Sequence, residues 1–387
     1  MKSYGGSANI SMPKVSIVIA SFNHENYVRE CVQSALGQTF QDFEIIITDD
    51  GSPDGTVEVI KEFADPRIRL DTFMHNKGAC TAINNCIPKA AGEYIAVLNS
   101  DDAWEPTKLA KQVKYLDEHP EIGAVFTKVA FVDESSKPIS YTDYKHFYVF
   151  EQKNRPRYDW LNHFFFKGNC LCHPSILIRK QCYDEVGLYD ERMASLPALD
   201  MWVRLCLKYE IHILDEKLVR FRIRTDEANA SGDRLPTHIR NHFEFMQILN
   251  HYLTITDKQF FVKVFAEAKE YGEVESKYIP YLLGMLALKV EDSAWRLWGL
   301  QVLHTFIGTD VIARGLEDKY GFRYRDFHNL TVKYDVFNLA LARSAPPSSQ
   351  PTICYIKPGN HGKLMNFAIR LHWMLANIVL KIYARMR

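Results

Sequence analysis

The sequence lacks several features that would each decide its class at once. Its 387 residues contain 47 Lys plus Arg and 47 Asp plus Glu, so the formal net charge is zero. Such a balance excludes a chain that is basic all over for nucleic acid, and it excludes an acidic buffer-like protein. No run of about 18 uninterrupted apolar residues occurs, so no transmembrane helix is predicted.

The eight cysteines lack the spacing of a metal knuckle or a redox motif. None forms a C-x-x-C pair, and Cys170 and Cys172 lie closer together than a usual zinc site allows. We therefore predict reduced core cysteines and a cytoplasmic location. Residues 1–13 are polar and rich in glycine and serine, which predicts a flexible N-terminus without the apolar run of a secretory signal.

What is present is the composition of a globular protein. Hydrophobic residues make up 47% and charged residues 24% of the chain, which excludes extensive disorder or a coiled-coil rod. At roughly 150 residues per domain, the length predicts about two to three domains. We predict an α/β domain over residues 14–236, a helical C-terminal domain over 237–344, and a linker with a terminal helix over 345–387.

Short β-branched runs alternate with helical patterns over residues 14–130. The predicted strands cover 15–20, 43–48, 68–71 and 94–99, followed later by 173–178 and 218–224. The predicted helices cover 27–36, 56–64, 80–91, 106–118 and 196–209. This alternation predicts a mostly parallel sheet with helices on both faces, and a ligand crevice beyond the carboxyl ends of its strands.

Polar residues follow three of these strands where each strand ends. Residues 21–24 include Phe22 and His24, residues 49–54 begin with two aspartates, and residues 99–102 end with two more. One acidic pair alone is also typical of a capped turn. Two pairs at equivalent strand ends repel unless a cation compensates, which favours a magnesium or manganese site. We interpret His24 as an ordinary loop residue.

Residues 133–170 are rich in aromatic side chains and match no regular element well. Two interpretations remain open for them. They form either a lid or acceptor wall over the sheet, or a crossover segment with a small core of its own.

Six segments together resemble the first half of family 2 glycosyltransferases. The segments are 15–23, 38–44, 49–56, 76–78, 90–95 and 98–102. The resemblance covers about residues 14–225 and implies a GT-A fold, which is a Rossmann-like, mostly parallel sheet flanked by helices. It implies an inverting transferase that moves a sugar from a nucleotide donor, most often a UDP-sugar, to a hydroxyl of a glycan or lipid-linked glycan. Bacterial surface polysaccharide synthesis is the implied process, with Mn²⁺ or Mg²⁺ as cofactor.

The resemblance assigns roles to residues at the three strand ends. Ala20 and Phe22 match positions beside the nucleotide base, with Phe22 near the base plane. Asp50 matches the aspartate that accepts a hydrogen bond from the base. Asp102 matches the metal ligand, and Asp101 matches a contact to the ribose or to the water shell of the metal.

Further positions match residues that act on the reacting groups. Asp200 matches the catalytic base, although an acid in the first turn of a helix is also explained by the helix dipole. Arg222 and Arg224 match basic residues near the diphosphate, although they also fit a solvated strand face. The chain departs from the family at Asn99, where many members have aspartate, and at Leu199, where Glu or Gln is usual. Arg224 stands where His is usual.

The last 52 residues carry seven basic side chains and no acid, so residues 1–335 have a net charge of −7. Residues 363–387 read as an amphipathic cationic helix, suited to an anionic membrane surface on the inner face of the cell membrane. The alternative is a helix packed on the rest of the protein or on a second subunit, and a homo-oligomer remains open.

Two other functions remain alternatives to the transferase. One is a non-catalytic carbohydrate-binding or scaffold relative, which would tolerate loss of Asp102 or Asp200. The other is a nucleotidyltransferase on a similar sheet, which would need a Gly-rich basic loop after the first strand. Residues 21–24 lack that loop.

Overall fold

An eight-stranded mixed sheet organises the chain in the computed structural model, which describes residues 12–140, 148–225, 229 and 232–339. Residues up to Val336 belong to one compact unit, and Phe337 begins a second. The predicted helix over 363–387 and nearly all of the N-terminal segment 1–13 lie outside the described residues. No helix in the described part is long and apolar enough to cross a bilayer.

The sheet combines a parallel half with a mixed half. Its strands are β1 (Val15–Ser21), β2 (Phe43–Asp49), β3 (Ile68–Thr72), β4 (Tyr94–Asn99), β5 (Ala103–Trp104), β6 (Ile122–Val132), β7 (Leu177–Arg179) and β8 (Glu210–Arg222). They lie in the order β3-β2-β1-β4-β7-β6-β8-β5. Strands β1 to β4 pair in parallel, as does β6 with β8, whereas β7 pairs antiparallel with β4 and β6, and β5 pairs antiparallel with β8.

Thirteen α-helices accompany the sheet in the described residues. Those of the first part are α1 (Val28–Leu36), α2 (Thr56–Lys61), α3 (Ala79–Cys86), α4 (Lys108–Glu118), α5 (Arg157–Lys167), α6 (Lys180–Val186) and α7 (Pro197–Cys206). Those that follow are α8 (Leu235–Leu249), α9 (Lys258–Val264), α10 (Ile279–Ala287), α11 (Ser293–Phe306), α12 (Asp310–Tyr320) and α13 (Tyr324–Lys333). The predicted α/β fold with a helical C-terminal region is confirmed.

Alternate residues along β1 bury into two different cores, one on each face of the sheet. Val18 joins the core that includes α3, α5, α7 and the helices from α8 onward, whereas Ile17 joins the core beneath α1 and α4. This is the two-residue period expected of a strand buried on both faces. The C-terminal helices therefore share a core with the sheet, and the boundary at residue 236 stays a prediction.

Several elements differ from the sequence predictions: β5, β6, α5 and α6 were not predicted, β8 begins at Glu210 instead of residue 218, and residues 173–175 form a 3₁₀ turn before β7. Strand β6 was missed, and it is a long buried strand that holds the mixed half of the sheet together. Helix α5 lies in the aromatic-rich segment and buries Trp160, Phe164 and Phe165. The indole of Trp295 donates a hydrogen bond to the carbonyl oxygen of Phe165, at 2.6 Å. Helix α5 therefore packs into the core that the sheet shares with the C-terminal helices, and it does not form a small core of its own.

Candidate active site

The carboxyl ends of β1, β2 and β4 lie level with each other. Ser21 pairs with Asp49 in the register of β1 with β2, and Ala20 pairs with Asn99 in the register of β1 with β4. The polar residues that follow these strands therefore meet at one edge of the sheet. The predicted crevice at this edge requires that β1, β2 and β4 pair in parallel, and they do so in the structure.

Asp49 and Asp50, at the end of β2, have different surroundings. Asp49 is buried and accepts hydrogen bonds from the Ser21 hydroxyl at 2.8 Å and from the backbone N–H and hydroxyl of Ser52 at 2.8 and 2.6 Å. It therefore closes the turn that follows β2. Gly51 in this turn has φ +74°, and a Cβ there would lie 2.7 Å from the backbone carbon of His75, so only glycine fits.

Asp50 reaches across to the loop before α3. Its two carboxylate oxygens accept the backbone N–H groups of Lys77 at 2.6 Å and Gly78 at 2.8 Å. These bonds fix the orientation of a carboxylate that is almost fully buried. Ala20 is partly buried, and Phe22 is 36% exposed at the end of β1, so its ring is accessible at this edge of the sheet.

Asp102 is held from two sides in the interior. One oxygen accepts the backbone N–H of Arg222 at 2.8 Å, and the other accepts the side-chain amide of Asn99 at 3.0 Å. Burial raises the pKa of the Asp102 carboxyl well above its usual value, and the neighbouring charge of Asp101 raises it further. The amide at position 99 is thus a hydrogen-bond donor where a third carboxylate would add repulsion.

The Asp101–Asp102 pair fits a divalent cation by its chemistry. Two adjacent buried carboxylates disfavour each other's charge, and a hard cation with a preference for oxygen ligands removes that penalty. Within the described residues, no group of three or more His, Cys, Asp or Glu side chains forms a complete protein cage. Magnesium commonly uses one or two carboxylates and takes its other ligands from water and substrate phosphates.

His24 belongs to the site, which sequence reasoning missed. Its Nδ1 lies 2.7 Å from the Ser100 hydroxyl, and its Nε2 lies 2.9 Å from Nη1 of Arg224 and 3.8 Å from an Asp101 oxygen. Because a guanidinium can only donate, Nε2 is the acceptor and Nδ1 carries the proton. Burial lowers the pKa of His24, which agrees with a neutral ring. Its position directly after β1 was the available signal.

The two arginines at the end of β8 have different surroundings. Arg222 is 1% exposed, and its guanidinium binds Glu30 at 2.5 Å and the backbone oxygens of Asp101 and Asp133 at 2.8 and 2.9 Å. This placement favours a role in holding the Asp101–Asp102 loop. Arg224 is only partly buried and reaches His24, and its Nε has no hydrogen-bond partner among the described residues, so it is the arginine better placed for an anion.

Asp200 lies in a separate buried network. One oxygen is 2.6 Å from Nε2 of His251, and the other accepts from Nε and Nη2 of Arg204 at 2.8 and 2.7 Å. Burial alone would raise the pKa of Asp200, but the hydrogen bond from His251 and the charge of Arg204 outweigh it and hold the pKa below its usual value. Within the described residues, no hydrogen bond or ion pair joins Asp200 to the other predicted site residues.

We expect Asp200→Asn to destabilise the protein by about 2–3 kcal/mol at pH 7, because it leaves the partly buried Arg204 without its charge partner. Since the folded-state pKa is lowered, the charged form of Asp200 stabilises the protein above about pH 4 and loses this contribution as the pH falls through the folded pKa. Urea midpoints at pH 7 and pH 3.5 measure both effects. Between pH 7 and pH 3.5, the urea midpoint of Asp200→Asn should therefore fall less than that of the parent protein.

Asp190→Asn is a matched control, because Asp190 pairs with Arg192 at the surface. It should change stability by less than about 1 kcal/mol. A fully stable Asp200→Asn protein with no turnover would instead support the predicted role of Asp200 as the base.

Comparisons with known proteins define the class to which this fold and site belong. The sequence family described as Glycosyl transferase family 2 matches residues 16–180. An uncharacterized glycosyltransferase of Methanocaldococcus jannaschii is 31% identical over 216 residues, which span 54% of this chain and 71% of the relative. The chain belongs to glycosyltransferase family 2, which confirms the resemblance seen in the sequence.

Two further likenesses are more limited in what they show. The Escherichia coli enzyme WfaP, named UDP-Glc:alpha-D-GlcNAc-diphosphoundecaprenol beta-1,3-glucosyltransferase, is 42% identical over 106 residues, covering 27% of this chain and 42% of that protein. The crystal structure of S. aureus TarS 1–349 with UDP matches 80% of this chain and 93% of that chain, with a TM-score of 0.52 at 17% identity. At this identity the likeness to TarS concerns the fold alone, and it agrees with the GT-A architecture.

Proposed function

We propose that this glycosyltransferase is an inverting, metal-dependent enzyme that moves a sugar from a nucleoside-diphosphate donor, with uridine favoured. The acceptor would be a hydroxyl of a glycan or lipid-linked glycan in surface polysaccharide synthesis. The observation that carries the proposal is the meeting of Asp50 and the Asp101–Asp102 pair at level strand ends. The substrates named for WfaP, and the UDP and UDP-GlcNAc in TarS crystals, support this choice of donor and acceptor class.

Each group at the strand ends has a task in such a transfer. The exposed ring of Phe22 and the fixed carboxylate of Asp50 would hold the base, which positions the donor. Asp102, with Asp101 beside it, would hold Mn²⁺ or Mg²⁺, which supplies electrostatic stabilisation to the leaving diphosphate. Arg224, oriented by His24, would add a positive charge on the same side.

Displacement with inversion also needs a base for the attacking hydroxyl. The family resemblance gives this role to Asp200, and the role remains a prediction that the Asp200→Asn measurements decide. The placement of Arg222 favours a positioning role through the Asp101 backbone over a direct contact with diphosphate. A cytoplasmic location, peripheral membrane attachment and a homo-oligomer also remain predictions.

A panel of UDP-, GDP- and dTDP-sugars, each with and without Mn²⁺, tests the proposal by calorimetry and thermal unfolding. A donor at 100 times its Kd should stabilise the native protein by about 2.7 kcal/mol. We expect UDP-sugars with Mn²⁺ to give the largest effect, and Asp50→Asn to reduce it. Asp42→Asn, at an exposed position just before β2, is the matched control and should bind as the parent does. Failure of every donor to bind would overturn the proposal.

A further inference from the structure

Helix α8 exposes an apolar stripe on its outward side. Leu235, Ile239 and Phe243 are 72%, 64% and 65% exposed, which is unusual for three large apolar side chains of one helix. They are spaced four residues apart, so they lie along one face of the helix. The opposite face buries Phe245 and Leu249 in the core, so α8 is apolar on both sides. Burial in the core explains only one of these faces.

The flanks of the stripe carry two arginines and two histidines, and each histidine lies against an acid. Arg234 and Arg240 are exposed beside it, as are two histidines, His238 and His242. Within α8 itself the only acid is Glu244, which is buried on the other side of the helix. Asp233, just before α8, lies 2.5 Å from the His238 ring, and Asp292 lies 3.3 Å from the His242 ring. An exposed apolar stripe with arginines beside it is the pattern of a helix that lies in the interface of a bilayer.

The buried side of α8 is connected to the crevice through a series of short contacts. The Glu244 carboxylate accepts backbone N–H groups from Ala194 at 2.8 Å and Leu196 at 2.7 Å, and also from the residue between them. This turn leads into α7 and packs on α3, where the Cys80 thiol lies 3.4 Å from the Met193 oxygen. Gly78, at the start of α3, binds Asp50. The stripe is therefore joined to the nucleotide side of the site by short contacts.

The start of α8 is also tied to the end of β8. Nη2 of Arg234 donates to the backbone oxygen of Asn229, at 3.2 Å. The side-chain oxygen of Asn229 in turn accepts the backbone N–H of Arg224, at 2.9 Å. A surface that contacted the stripe would thus lie next to the arginine that faces the candidate site.

We propose that the α8 stripe is a membrane-contact surface, which lays this edge of the enzyme on an anionic phospholipid bilayer. The exposed arginines beside the stripe, Arg234 and Arg240, suit anionic headgroups. A second copy of the chain is a poorer occupant. Three side chains of at most about 250 Å² each, of which at most 72% is exposed, present less than about 550 Å² together and fall short of the roughly 800 Å² per partner that a stable interface buries. Resting on the proposed function, the contact would bring a lipid-linked acceptor to the crevice.

The test reports directly on this face in the full chain. The seven described cysteines are free and buried, so Ile239→Cys combined with Cys354→Ser gives one accessible thiol for an environment-sensitive fluorophore. Val311→Cys, at an 81% exposed position on α12, provides the matched control. Both proteins are mixed with vesicles of phosphatidylglycerol and phosphatidylcholine, and with vesicles of phosphatidylcholine alone. No nucleotide sugar is added, so the outcome is independent of the proposed function.

We expect a blue shift of the label at position 239 with the anionic vesicles only, and no shift at position 311. The triple variant L235S/I239S/F243S should weaken vesicle binding at least about tenfold, equal to ~1.4 kcal/mol. Val311→Ser with Val332→Ser, the control at other exposed valines, should bind normally. Vesicle binding without a shift at position 239 would overturn the proposal, because another part of the chain would make the contact. A shift that follows protein concentration without vesicles would overturn it in favour of self-association.

Discussion

Replacing Asp102 with asparagine is expected to reduce kcat/KM for sugar transfer by about 10²–10³, while the protein becomes no less stable. Activity falls because a neutral amide is a poor ligand for Mn²⁺ or Mg²⁺ and leaves the charge of the leaving diphosphate less stabilised. The measurement is UDP release with acceptor over a range of metal concentrations. A normal kcat/KM with normal metal dependence would contradict the role of Asp102.

The expected effect of this substitution on stability has the opposite sign. Because burial and Asp101 raise the folded-state pKa of Asp102, its charged form costs stability as the pH rises above the unfolded value near 4. An uncharged amide at position 102 has no such cost. The Asn99 side chain can flip so that its oxygen accepts a hydrogen bond from the new amide nitrogen. In metal-free buffer at pH 7, the variant should therefore unfold at an equal or higher urea concentration than the parent. Asp42→Asn serves as the exposed control for both measurements.

Replacing Glu244 with alanine is expected to destabilise the folded protein by about 2–3 kcal/mol. The substitution removes the acceptor of three backbone N–H groups in the turn before α7, and each unsatisfied buried donor costs about 1–3 kcal/mol. Water reaches part of this turn, which keeps the estimate below the full sum. Urea unfolding at pH 7 measures the change.

Two variants separate the role of the Glu244 carboxylate from a general effect of truncation. Glu244→Gln keeps the shape and one acceptor oxygen, so we expect it to recover about half of the lost stability. Glu267→Ala removes a carboxylate that, among the described residues, accepts hydrogen bonds only from the Asn162 amide, and it should cost less than about 1 kcal/mol. Equal losses for alanine at positions 244 and 267 would contradict the assignment.

The parallel half of the fold could be read from local patterns. Strands such as β1 and β4 are continuous apolar runs, and their ends are marked by residues that suit turns and ligands. Parallel pairing places those ends at one edge, so Asp50 and Asp102 could be assigned to one site before any coordinates. In the mixed half, β6 was missed although its apolar run lies between Pro120 and a polar turn at 133–136, so the local signal for this strand was present in the sequence.

The roles of individual side chains depended on contacts that no local pattern encodes. His24 and Arg224 are 200 residues apart in sequence and meet only because β8 crosses next to β6 and ends beside the first strand end. Asp200 on α7 and His251 just after α8 are 51 residues apart in sequence and meet only in the folded protein. For the same reason the sequence could not separate Arg222, buried against Asp101, from Arg224, which has an unpaired Nε.

By itself, the sequence determined the family, the α/β class and the edge of the sheet where the acids gather, because hydrophobic period and strand-end residues are local properties. Only the tertiary structure decided which carboxylates are committed to the protein interior, as Asp49 and Glu244 are, and which stand in the site. It also decided that α8 carries apolar residues on two faces, of which the core covers only one. Burial and hydrogen-bond partners arise from packing between distant segments, and packing is the part that sequence patterns do not contain.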